Sequence, residues 1–132
     1  MHKRLIQNGL IAAGLMNIMG VLLFSRAFTN AAINEADPIV MSKFGLLIIA
    51  VWGVAYIGAS TIRSNIKWLA AAFAVEKLVY VVVWIRWLSQ NSLSELYSKD
   101  LLACAFFSVY GANDLMFLIF FVWVFHTQRN AA

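Results

Sequence analysis

Residues 68–88, WLAAAFAVEKLVYVVVWIRWL, decide how this chain folds. At about 1.5 Å per residue, a helix over this stretch spans roughly the 30 Å of a bilayer's hydrocarbon core. The run Val79–Val83 is β-branched around Tyr80. In water it would favour a strand. Inside lipid a lone strand leaves its backbone N–H and C=O groups unpaired, so the stretch reads as a helix. The rest of the chain has the same character. Of 132 residues, 63% are hydrophobic and 12% charged, about half the charge of an average soluble domain. So little charge cannot cover a water-facing surface, and lipid is the expected solvent.

Three further apolar stretches lie on either side. The spans are expected at about 5–24, 44–62, 68–88 and 101–126, which together make residues 1–132 a single four-span transmembrane domain. The fold class is all-α, an integral membrane four-helix antiparallel bundle. The basic start before Leu5 resembles a signal peptide. The apolar run to Phe24 is longer than the usual h-region and no A-x-A site follows, so it reads as a retained span. Gly9, Ala13 and Gly20 form a small-residue ladder there, with Asn17 among them. Small residues let helix backbones approach in lipid, where the hydrophobic effect does not drive helix association. Gly45, Gly53 and Gly58 serve the same end in the second span. Between the first two spans, Thr29–Ala36 suits a short surface helix that Pro38 stops. Arg63–Lys67 is too short for anything but a turn, so spans two and three are expected to be antiparallel neighbours. Ser89–Asp100 reads as a polar connection.

Orientation follows from the basic residues. Lys3, Arg4, Arg63, Lys67 and Arg129 fall at one end, with no acid in the same segments. The positive-inside rule, led by the N-terminal pair, places both termini in the cytoplasm, most simply at a bacterial inner membrane. Trp68 and Trp123 would then mark the inner interface, and Trp84 and Trp87 the outer one.

Three ionisable residues remain within the spans: Glu76, Lys77 and Asp114. A charge at a helix centre costs about 2.5–3.5 kcal/mol on the insertion scale, so such residues face the bundle interior and pair. At the helical rise, Glu76 and Lys77 lie roughly 13–15 Å from Lys67, Asp114 roughly 18 Å from His126, and Asn17 roughly 18 Å from Leu5. These side chains therefore reach one layer near mid-membrane. Tyr80 shares helix faces with both Glu76 and Lys77, and Tyr110 lies one turn before Asn113 and Asp114. Trp52 and Tyr56 reach the layer or lie just beneath it. Gly111, in the polar break Tyr110–Asp114, permits close approach by another helix or a ligand.

Two readings of this layer compete. One is structural, a Lys77–Asp114 ion pair whose hydrogen bonds Asn17, Asn113 and Tyr80 complete. In the other, two acids face one base, which leaves a protonatable carboxyl at Glu76 or Asp114. That arrangement suits a ligand pocket or a proton site. The leading expectation is a small multi-pass protein binding a hydrophobic or amphiphilic ligand, with Glu76, Lys77, Asp114, Tyr80, Asn17, Asn113, Tyr110, Trp52 and Tyr56 as site residues. It would act alone or as an accessory subunit of a membrane complex. The alternatives are a homo-oligomeric proton-coupled transporter, a purely structural subunit, and a membrane enzyme acting on a lipid-soluble substrate. No catalytic motif is recognised. C-x-x-C-H and H-E-x-x-H are missing, so neither metal nor haem is expected, and no cofactor. The basic residues flank apolar segments, so the expected partner is the lipid bilayer and not nucleic acid. Cys104 is alone and sits in an apolar helix, where a packed side chain is the simplest reading.

Overall fold

The computed structural model describes residues 2–128. Arg129, used above for orientation, lies outside them. The described residues are all-helical, 82% of them in helix and none in a strand. The helices are α1 (Lys3–Phe24), α2 (Ala31–Ala36), α3 (Lys43–Ala59), α4 (Lys67–Gln90), α5 (Leu93–Lys99) and α6 (Leu101–Gln128). Three of them, α1, α4 and α6, are long and apolar enough to cross a membrane. Helix α3 is as apolar but has only 17 residues, the lower limit for a span.

Helix α3 stops three residues short of the expected Ile62. The Ser60 and Thr61 hydroxyls donate back to the carbonyls of Ile57 and Gly58, at 2.5 and 2.7 Å. Such local bonds compete with the helical ladder. At its start, Ser42 Oγ accepts from the backbone N–H of Gly45 at 3.0 Å, a regular N-cap. The short helix before Pro38 forms as expected, with Asn30 as its cap. The connection after α4 holds more structure than its polarity suggested. Ser92 caps α5 by accepting from the Glu95 N–H, the first half of an S-x-x-E capping signal.

The long helices pack as two pairs. Helix α1 lies against α3 and α4 against α6, and a smaller contact between α1 and α6 joins the pairs. Helices α3 and α4 follow one another in sequence without packing backbone to backbone as expected. Glycine explains the choice of partners. A Cβ on Gly14 would lie 2.5 Å from the Gly53 carbonyl oxygen, and one on Gly53 would lie 2.7 Å from that of Gly14. This mutual bare contact clamps α1 to α3, and it falls on Gly14, a residue outside the expected ladder. In that ladder Gly9 meets the Phe120 ring, while Gly20 meets nothing within 4 Å. Between α4 and α6, the Trp84 indole lies on Gly111, where an added Cβ would collide with the ring.

The two ends differ. At the end bearing the N-terminus, Gln128 ties α6 to the α3–α4 turn. Its side-chain oxygen accepts from the Ile66 N–H at 2.8 Å, and its carbonyl accepts from Asn65 Nδ2 at 3.0 Å. The opposite end carries a roof made of α2, α5 and their flanking loops. Asp100 is its clasp, with Oδ1 2.9 Å from the Arg26 guanidinium and Oδ2 accepting from Asn30 Nδ2 at 2.7 Å and from the Ala103 N–H at 2.8 Å. Burial pushes the Asp100 carboxyl up, but the bonds from Asn30, Ala103 and Arg26 outweigh it and hold the group below the usual aspartate range. Trp84 and Trp87, expected to mark the outer interface, both turn their indole N–H groups inward. Trp87 is buried, stacks on Phe107 at 4.3 Å and donates to the Ala36 carbonyl at 2.9 Å, while Trp84 donates to the Phe107 carbonyl at 2.7 Å. An indole N–H finds an acceptor inside the fold when its ring is the best filler of the core.

Two outcomes follow. Gly14→Ala forces α1 and α3 apart and lowers stability by about 1–3 kcal/mol, measured by reversible unfolding in mixed micelles. The clasp's contribution is fully present above the ordinary aspartate value of 3.8. It is lost as pH falls through the depressed folded value. The stability gap between wild type and Asp100→Asn therefore closes on acidification below that point, in thermal melts across pH.

Candidate functional site

Glu76 and Lys77 are consecutive on α4, so their side chains leave the helix about 100° apart. Lys77 points towards α1 and α6, Glu76 towards α3. Lys77 is 1% exposed. Its ammonium donates to Asp114 Oδ1 at 2.9 Å and to Asn17 Oδ1 at 3.0 Å. It also lies 5.2 Å from the ring centre of Tyr56 and 5.9 Å from that of Phe117, both within cation–π range. Asn17 in turn donates through Nδ2 to the Ile49 carbonyl of α3 at 3.0 Å. The Tyr56 hydroxyl donates to Glu76 Oε1. All four long helices thus meet in one polar layer.

Each expected site residue can now be placed. Asn17, Lys77 and Asp114 form the centre, joined as expected. Asn113 contributes a long 3.5 Å contact from Nδ2 to Asp114 Oδ1. Tyr80 is half-buried beside the layer and makes no hydrogen bond to the ion pair. Tyr56 reaches the layer through Glu76. Trp52 does not. It packs edge-on against Phe73 at 6.0 Å, to one side. Gly111, kept open for a neighbour, is covered by Trp84 from α4. Three contributors were not anticipated. The Ile49 carbonyl is a backbone group with no side-chain signature. Phe117 reads as ordinary core. Gly20 seemed part of a packing ladder.

Two spaces border the layer. The first is a cavity of about 80 Å³ between α1, α4 and α6, lined by the ion pair, Asn17, Asn113 and Tyr110 among aliphatic and Phe side chains. The second is a shallow open groove of about 520 Å³ between α3 and α4, with Trp52 and Val79 on its walls. It runs beside the side-chain contacts of Tyr56 with Phe73 and Glu76 that join these two helices. Glu76 and Tyr80 line both spaces. No group of three or more His, Cys, Asp or Glu suited to a metal ion occurs among the described residues.

No protein family, curated protein or solved structure matches this chain.

Such a layer can bind a polar group in an apolar shell, because low dielectric strengthens every hydrogen bond it offers. It also ties the helices together, and that role is separable. Lys77→Met alone strands the Asp114 carboxylate and should destabilise by about 3–5 kcal/mol. The double variant Lys77→Met with Asp114→Leu should recover most of that loss. A double-mutant cycle that came out additive would show that the two head groups do not depend on each other.

Proposed function

We propose that this chain is an integral membrane protein with α1, α3, α4 and α6 as its four spans, and that its mid-membrane polar pocket binds a hydrophobic or amphiphilic ligand. Large apolar side chains cover the outer faces of all four helices. Leu15, Leu23, Phe44, Val54, Val75 and Ile119 are each about half exposed or more. A water-soluble monomer rarely carries so continuous an apolar girdle. Both termini fall on the cytoplasmic side in this reading. The end of the molecule bearing Lys3, Arg4, Arg63 and Lys67 faces inward and the roofed end outward. A bacterial inner membrane suits this arrangement.

The observation that carries the ligand reading is the cavity itself. A purely structural ion pair needs only its partners, and the pairing of Lys77 with Asp114 and Asn17 favours such a role as a second reading. A dense core would then close over the pair. Instead an opening bordered by charged, amide and hydroxyl side chains remains beside it, the usual character of a small-molecule site.

The test is native mass spectrometry of the full chain released from its membrane in mild detergent. The ligand reading expects a stoichiometric lipid-soluble adduct that survives delipidation and is lost from the Glu76→Gln, Asp114→Asn double variant. Folded wild-type protein without any adduct would leave the structural role as the better account.

A further inference from the structure

Two buried polar atoms at the cavity have no hydrogen-bond partner among the described residues, the Tyr110 hydroxyl and Asn113 Oδ1. Tyr110 is only 7% exposed, and both residues line the 80 Å³ cavity. Such atoms are uncommon in proteins, because each has lost water without gaining a substitute. Their capacities differ. The amide oxygen only accepts, whereas the phenol donates one bond and accepts others. Tyr110 and Asn113 are three apart on α6 and so share a face, and both border the same cavity. A group that uses the phenol's proton and also serves the amide donates to Asn113 Oδ1 and accepts from Tyr110. A hydroxyl does both. An ether or ester oxygen cannot donate, an ammonium cannot accept, and a carboxylate would face Asp114 and Glu76.

The same cavity has a way out. A Cβ added to Gly20 meets nothing within 4 Å, unlike Gly9, Gly14, Gly53 or Gly111, where it would lie under 3 Å from a neighbour. Gly20 borders the cavity with Met16 and Val109, where α1 and α6 touch only slightly. Met16 and Val109 are about half exposed, at 51% and 48%. The gap therefore opens onto the apolar outer surface. A cavity this small holds a head group and the first atoms of a chain, not a whole lipid.

We propose that the cavity receives the hydroxyl head of a long-chain alcohol, held by Tyr110 and Asn113, with the tail leaving past Gly20 between α1 and α6. This rests on the ligand-binding reading above and names the chemistry of the head group.

The test uses the full chain in nanodiscs and four probes of equal chain length: 1-dodecanol, dodecyl methyl ether, dodecylamine and dodecane. The readouts are saturable shifts in melting temperature and in tryptophan fluorescence, since Trp84 packs on Tyr110. Dodecanol is expected to bind at least several-fold more tightly than the other three. Tyr110→Phe should melt at or above the wild-type temperature, because it removes a hydroxyl with no partner, yet weaken dodecanol about three- to ten-fold. Gly20→Leu, whose Cβ meets nothing within 4 Å, should keep the wild-type melting temperature and exclude dodecanol. Equal binding of all four probes would overturn the head-group assignment and leave the ligand reading standing. So would dodecylamine binding most tightly and indifferently to Tyr110→Phe. If none of the four binds saturably, the long-chain alcohol assignment falls, and the adduct measurement above decides the ligand reading separately.

Discussion

One ammonium group organises this molecule. Lys77 is almost wholly buried, and a charge so placed is tolerable only when paired and hydrogen-bonded. Its requirements reach every long helix. Asp114 on α6 supplies the counter-charge, Asn17 on α1 a second acceptor, and the aromatic rings of Tyr56 and Phe117 the remaining negative surface. Asn17 passes the constraint on to the backbone of α3. Hydrogen bonds between membrane helices average only about 0.6 kcal/mol. What the network mainly supplies is uniqueness. Rotating any one helix would strand a charge or an amide.

Close backbone contact then divides the molecule into pairs. The bare faces of Gly14 and Gly53 hold α1 on α3, and the Trp84 ring settles on Gly111 to hold α4 on α6. With each helix committed to one intimate partner, the remaining contacts are looser. The two spaces open at those looser seams, between α1 and α6 and between α3 and α4. Tight packing at two crossings and vacancy at two others are the same design seen from two sides.

The helices and the central ion pair were legible in the sequence because both follow from solvent physics. An apolar run of spanning length has one stable conformation in lipid, and a lone base in such a run must find the acid at its own depth. Partner choice was not legible. Short turns suggested that α3 and α4 would be neighbours, and they do meet through Tyr56, Phe73 and Glu76, but the close backbone contacts of each helix lie with another partner. Gly14 and Gly53 become significant only once they are known to face each other. The tryptophans misled for a related reason. The place of Trp84 and Trp87 along the span suggested interfacial height, but height does not say which way a ring points, and both found backbone acceptors inside. Helix α5 was passed over although Ser92 and Glu95 carry a capping signal, because the segment's polarity dominated the reading.

Glu76 and Tyr80 stand between the two spaces and form a surface of each. They are a shared partition, so whatever displaces one of them on the groove side reshapes the chamber behind it. No substitution at either position isolates one compartment from the other. Tyr110 on one side and Trp52 on the other each border a single room.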